Sequence, residues 1–325
     1  MAEPTVLQAV RQQQKALLAR EAEQMKEMAK VWARAEAELQ SSMDALALQI
    51  QAMRDAGQVV NPGKLYRMGR FQRLLFEVRR EAEGYADYAA ETVTAAQRQN
   101  AWIAEQEAAS LLQVKPGAVE AMVGMMGDGT PLRQYLAGVY GDAARGMTDH
   151  LVRAVIQGLN PRQTARAMAK GLNLGLDRAL TIARTEQLRV YREARRLTYM
   201  DSNVVQFYRR VSAKQDRTCV GCLLADGQVY PKSEPFEDHV NGRCTDVPIV
   251  EGYMPQWETG QQWLEKQDPV TQQKIMGPGR YELWKSGAVR LEDMKEHRYD
   301  PIWGGSWVPT PIKHLVDQSA AAAAG

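Results

Sequence analysis

Residues 25–54, MKEMAKVWARAEAELQSSMDALALQIQAMR, set the reading of the whole chain. Apolar or small side chains fall at Met25, Met28, Trp32, Ala35, Leu39, Met43, Leu46, Ile50 and Met53, spaced 3, 4, 3, 4, 4, 3, 4, 3, which is one face of a helix with a single slip. Neither Pro nor Gly occurs between Thr5 and Arg54. Asp55-Ala56-Gly57 and Asn61-Pro62-Gly63 then break the pattern, and a second stripe follows at Leu75, Val78, Ala82, Tyr85, Ala89, Val93 and Ala96. Two matched stripes around one turn predict a long antiparallel helical hairpin over residues 1–115, with arms of about 50 residues and roughly 75 Å. No group of His, Cys or paired acids sits on it, so it reads as a strut or docking arm, with coiled-coil character. The alternative is an ordinary bundle, which needs further helices from another chain or from the segments after Lys115-Pro116-Gly117.

Composition agrees with a helical protein. Of 325 residues 45% are hydrophobic but only 7% aromatic, and 41 Lys plus Arg stand against 39 Asp plus Glu. That size and apolar content support a buried core, which excludes a disordered tail. The net charge of +2 names no partner by itself. No apolar run approaches the roughly 18 residues of a membrane span, and Glu3, Arg11 and a Gln tract occupy the place of a signal peptide, so a soluble, unsecreted protein is expected.

Residues 116–200 read as a helical middle region. Its first part, rich in Gly and Met with Gly-Asp-Gly-Thr-Pro at 127–131, looks like a hinge-like connection of short helices. Asn160-Pro161 is a strong helix start, and Gly171 is expected to end a short helix over 161–170. A second helix is expected from Asp177 to about Met200. It carries Arg178, Arg184, Arg189, Arg192, Arg195 and Arg196. Residues 151–217 hold 14 Lys plus Arg against 5 Asp plus Glu. Such a basic stretch suits contact with DNA phosphates, and equally a solvated face pairing with acids elsewhere, since Glu186 and Glu193 share the helix.

The periodicity changes after Asn203. Val204–Val211, Gly227–Pro231 and Val247–Val250 read as strands of a small sheet. Trp263–Met276 and Tyr281–Trp284 read as helices, and Trp263, Trp284, Trp303 and Trp307, four of the seven tryptophans, indicate a compact core there. Glu292, Asp293 and Glu296 read as a solvated helix face, and residues 316–325, ending in an Ala run, as a flexible tail. The fold expected is mainly α with a small α+β C-terminal module at 201–315.

All three cysteines fall in that module. Cys219 and Cys222 form a C-x2-C knuckle, with His239 and Cys244 following. Thiolate and imidazole satisfy a closed tetrahedral zinc ion without leaving room for water, so a structural Zn2+ is expected on Cys219, Cys222, His239 and Cys244. Free or redox thiols are the alternative, although no thioredoxin-like βαβ pattern surrounds the knuckle. Asp216, Arg217 and Arg243 flank the ligands and are candidates to clamp the loop or orient the ligands, or are simply solvated charges.

These residues resemble a family. Asp216-Arg217-Thr218-Cys219-x-x-Cys222, Asp226-Gly227 and His239-x-Asn241-x-Arg243-Cys244 are similar to the signature of phage head morphogenesis proteins, the Mu F-like minor head proteins. Ala183-Arg184-Thr185-Glu186 upstream, and Trp263-Leu264, Ile275-Met276-Gly277 and Arg280-Tyr281 downstream, extend the resemblance over about residues 150–295. The family often has a Cys where Gly242 stands here, so Cys244 must serve as ligand. The resemblance implies a minor capsid protein of a tailed-phage virion, associated with the portal protein and with major capsid or scaffolding protein. It implies a role in head morphogenesis and in packaging or ejection of DNA, with assembly in the host cytoplasm. Two other readings compete. One is a metal-dependent nuclease with Asp238-His239 as general base, although His297 and His314 are isolated. The other is a zinc-stapled coiled-coil adaptor. Gly277-Pro278-Gly279 lacks the Lys and Ser or Thr of a P-loop, so it reads as a turn.

Overall fold

The computed structural model describes residues 5–112, 122–250 and 252–324. It is 67% helical, with two small antiparallel sheets. The Pro- and Gly-free opening forms one helix, α1 (Thr5–Asp55). Asn61 then accepts from the Lys64 N–H and Pro62 takes the first helical position, which starts the short α2 (Pro62–Tyr66). The chain returns as α3 (Gly69–Leu112). The pairs Gln24 with Thr92, Met28 with Tyr85 and Ser42 with Glu77 show that the return is antiparallel.

Later helices pack on this hairpin, so the bundle alternative is the one realised. They are α4 (Leu132–Ile156) and α5 (Pro161–Asp201). Trp32 donates to Asn173 at 2.5 Å, and its ring lies 5.4 Å from Tyr140 and 4.9 Å from Tyr85. Arg54 closes the far end by donating to the Val155 and Leu159 carbonyls. The apolar seam that suggested a docking arm is therefore used inside the chain.

Gly171 does not end a helix. It lies within α5, and a Cβ placed there would stand 2.3 Å from the Gly146 carbonyl oxygen on α4; one on Gly146 would stand 2.5 Å from the Gly171 oxygen. Two glycines facing each other let the helix backbones touch, and that contact explains why Gly is found where a cap was expected. Lys115-Pro116-Gly117, expected to open the middle region, lies outside the described residues.

Two compact units result. One comprises Arg20–Gln97 and Val123–Gln187; the other comprises Met1–Ala19, Arg98–Met122 and Leu188–Gly325. Unlike the consecutive division at 115, 200 and 315 expected from sequence, both are discontinuous, because α1, α3 and α5 each run through both.

The second unit holds the sheet. It contains β1 (Val205–Val211), α6 (Val220–Ala225), β2 (Val229–Pro231) and β3 (Thr245–Val250), with antiparallel strand order β2-β1-β3. Tyr208 of β1 lies opposite Tyr230 on one side and Pro248 on the other. Leu7 and Val10 of α1 bury against Val211 and Val247, while Tyr199 and Ala108 pack with Val205 and Tyr208.

Downstream the expected helices are cut differently. Asp268 accepts from the Val270 and Thr271 N–H groups and Pro269 follows it, which separates α7 (Gly260–Glu265) from α8 (Pro269–Met276). After α9 (Pro278–Lys285), Glu292 and Asp293 sit on a 3-10 turn and Glu296 on a strand, not on one helix face. That strand, β4 (Lys295–Asp300), forms a hairpin with β5 (Gly304–Pro309). Asp300 accepts from Ile302 and Trp303 in the connecting turn, which outweighs the helical appearance of the acids. The Ala run continues α10 (Ile312–Ala324), as the helix propensity of Ala favours. Val220, Leu223, Leu264, Met276, Leu291, Met294 and Leu315 form the core here, with Trp263 and Trp284 packed against it.

Candidate metal centre

Two segments deliver the sulfur and imidazole groups. Cys219 has extended backbone at the start of α6, and its sulfur accepts from the Cys222 N–H at 3.3 Å, so one turn of helix places both thiols together. His239 and Cys244 come from a tight turn in which Gly242 N–H donates to the His239 carbonyl at 2.7 Å. Asn241 takes φ of 62° in that turn, a left-handed conformation that Asn tolerates better than most residues. Cys244 lies immediately before β3, so the sheet fixes its position.

The His239 Nε2 atom lies 3.3 Å from Cys219 Sγ and 3.1 Å from Cys222 Sγ, while Nδ1 lies 2.8 Å from the Val240 carbonyl. A carbonyl can only accept, so Nδ1 carries the proton in a neutral ring and Nε2 is left to bind. Cys219, Cys222 and His239 have ligating atoms within 4.8 Å of one another, and so do Cys222, Asp238 and Cys244. Cys222 belongs to both groups. All four sequence-predicted ligands line one cavity of about 220 Å³.

Asp238 is not available as a further ligand. One carboxylate oxygen accepts from Arg210 at 2.6 Å and the His239 N–H at 3.2 Å; the other accepts from Arg192 at 2.8 Å and the Cys244 N–H at 3.3 Å. Those contacts fill the four lone-pair directions of a carboxylate. The donors left are Cys219, Cys222 and His239, mutually close and of the kind that binds zinc, with Cys244 grouped with Cys222 but not with Cys219 and His239.

The charges are coupled across the site. Burial alone would push the His239 imidazolium down, but the Cys222 sulfur bonded to it, with the Cys222 and Asp238 charges, raises it to about 10. The hydrogen bond with Cys222 lowers the Cys219 thiol, and the same contact raises Cys222. The contact with Cys222, together with burial, raises Cys244. Burial would raise the Asp238 carboxyl, but Arg210 and Arg192 hold it below its ordinary value.

Of the expected clamp residues, Arg217 and Arg243 line the cavity and Asp216 does not. Asp216 is exposed and pairs with Lys274 at 2.6 Å. Arg217 is an exposed residue at the cavity wall; Arg243 lines the same wall, and its carbonyl accepts from Gln14. The residues that hold the ligand turn are Arg192, Arg210 and Asp238. Arg192, on α5, also donates to the carbonyls of Cys244 at 2.9 Å and Gly242 at 2.8 Å, and so grips the turn at three points. Arg210, on β1, also donates to the Glu237 carbonyl at 2.5 Å and approaches Cys222 Sγ at 3.9 Å. Gly242 is required by this packing, since a Cβ there would lie 2.2 Å from the Asp238 carboxyl carbon. A cysteine at that position would collide with the carboxylate.

In its second half the basic helix turns several arginines inward, whereas Arg162, Arg166 and Lys170 in its first half are exposed. Arg195 is fully buried and donates to Asp246, Tyr199 and Gln13, and Arg192 is buried on Asp238. Arg184 pairs with the buried Glu21, and Arg196 with Glu193. Arg189 is half-buried, and Arg178 is exposed. Part of the positive charge seen in the sequence is thus met by buried acids, through Arg184, Arg192, Arg195, Arg210 and Lys214. Arg192, Arg195 and Tyr199 follow one another at helical spacing beside the buried Leu188, Tyr191 and Ala194. That placement of arginines along an apolar stripe was the available signal.

Among the remaining candidates, His297 and His314 are exposed and lie beside Glu237 and Glu296. Among the described residues no helix is long and apolar enough to cross a membrane.

Residues 145–247 match the model of the family described as Phage Mu protein F like protein. The match takes in the end of α4, all of α5, β1, α6 and β2, and every proposed ligand, so the resemblance carried by the Cys/His motif is borne out over that stretch. Its downstream extension through Trp263 and Arg280 lies beyond the matched residues. No curated protein and no solved structure matches the chain.

Proposed function

We propose, from the Mu F-like character of residues 145–247, that this protein is a structural component of a tailed-phage head that acts in head morphogenesis. It resides in the virion, assembles in the host cytoplasm, and works beside the portal protein and the major capsid or scaffolding protein. Its contribution is architectural, with no catalytic step. One zinc ion on Cys219, Cys222, His239 and Cys244 closes the α6–β3 region; the metal supplies a cross-link between the start of α6 and the turn that leads into β3.

The observation that carries this reading is the family match, supported by the close approach of Cys219, Cys222 and His239, with Cys244 lining the same cavity. The nuclease alternative is disfavoured by the same geometry. Asp238 has both oxygens committed to arginines, and the His239 Nε2 atom faces two sulfurs, so neither is placed to activate a water. The direct test is to purify heads from cells expressing a tagged chain and to look for it at the portal vertex by electron microscopy. Density at that vertex supports the proposal; heads that assemble normally and lack the chain refute it.

A further inference from the structure

We propose that Arg192 and Arg210, joined through the single carboxylate of Asp238, are positioning residues that make the Cys219, Cys222, His239 and Cys244 site specific for a divalent metal. The inference rests on the metal reading above but concerns residues outside the ligand set. Two observations lead to it. The first is mechanical: the clamp touches the ligand-bearing chain at the His239 N–H, the Cys244 N–H and carbonyl, and the Gly242 carbonyl, so the turn is held from α5 and β1 whether or not an ion is bound. Such outer contacts fix ligand orientation and commonly govern affinity.

The second observation is the charge count. Arg192 and Arg210 are 7% and 2% exposed at the side chain, yet they share the one carboxylate of Asp238, itself 1% exposed. One positive charge is in excess. The neighbouring buried pairs, Arg195 with Asp246 and Lys214 with Asp226, are each balanced. Three thiolates and a neutral imidazole around a divalent ion carry one net negative charge, which with Asp238 matches the two guanidinium groups. A monovalent or trivalent ion in the same donors leaves a buried charge without compensation. Arg210 lies 3.9 Å from Cys222 Sγ, where its charge acts on a ligand directly.

Cobalt(II) is the probe, because its visible absorption reports sulfur ligation and tetrahedral geometry. The wild-type protein should bind one Co2+ per chain with a thiolate-to-metal band. Arg210→Met and Arg192→Met should each weaken Co2+ binding about 10- to 100-fold, measured by competition with a chromophoric chelator, and should shift the visible bands. Arg210→Lys restores charge without the forked geometry and should recover part of the affinity. It also carries the test if Arg210→Met fails to fold. Gly171→Ala serves as a control for general destabilisation, and its Co2+ affinity should equal that of the wild type. Folded arginine variants with unchanged affinity and spectrum overturn the clamp alone; a wild-type protein that binds no cobalt or zinc removes the metal reading, and the clamp with it.

Discussion

Replacing Asp238 with Asn tests the internal charge network without altering side-chain shape. Asp238 accepts from four N–H groups, two of them guanidinium groups at 2.6 and 2.8 Å, and from the Cys222 thiol at 3.8 Å, in a place 1% exposed to solvent. Among the described residues no other carboxylate pairs with Arg192 or Arg210, so the amide leaves two buried cations without a counter-charge. Breaking a buried pair by removing one partner costs roughly 3–5 kcal/mol. Arg192 keeps its bonds to two carbonyls, which prevents a larger loss. The assay is urea unfolding of chelator-treated protein, followed by tryptophan fluorescence, so that metal does not contribute. Reactivity of Cys222 and Cys244 toward a thiol reagent is read in parallel, since both are buried and should become accessible as the turn loosens. A loss under about 1 kcal/mol, with both thiols still protected, would refute the view that Asp238 organises the site.

Other perturbations address the rest of the fold. Gly171→Ala places a methyl 2.3 Å from the Gly146 carbonyl and should destabilise by about 1–3 kcal/mol, whereas Gly138→Ala, on the same pair of helices but with nothing within 4 Å, should be stabilising by up to about 1 kcal/mol. Thermal unfolding of both variants decides this, and equal shifts contradict a close α4–α5 crossing. Asp268 is held below the ordinary carboxylate range, first by the Thr271 hydroxyl and then by backbone N–H groups. Its folded value lies under the unfolded one, so its charge-dependent stabilisation is complete above about pH 4 and fades as pH falls through the folded value. Asp268→Asn keeps a capping oxygen but no charge; the melting difference between the two proteins should be constant near neutrality and shrink in acid.

The sequence was most legible where one physical signal acts alone. The absence of Pro and Gly from Thr5 to Arg54 gives a single helix, and the β-branched run at Val205–Val211 gives the central strand. The C-x2-C knuckle and His239 come close together, while Cys244 groups with Cys222 and Asp238 instead. The failures share a cause. Gly171 reads locally as a stop, but its role is to let Gly146 approach from another helix, a contact invisible to a local window. Arg192 and Arg195 of α5 read as DNA-facing or solvated because their acceptors, Asp238 and Asp246, lie about 50 residues further on. Asp216 and Arg217 were drawn to the site by adjacency to Cys219, whereas the residues that grip the ligand turn come from α5 and β1. The β4–β5 hairpin was missed because its strands alternate no apolar residues and its pairing is set by the Asp300 turn.

The most direct test of the account is the metal content of the protein purified under reducing conditions. One zinc per chain is predicted, lost in Cys222→Ser and in Cys244→Ser and with it the cooperative unfolding of the sheet region. A well-folded, zinc-free protein with three freely titrating thiols would contradict it.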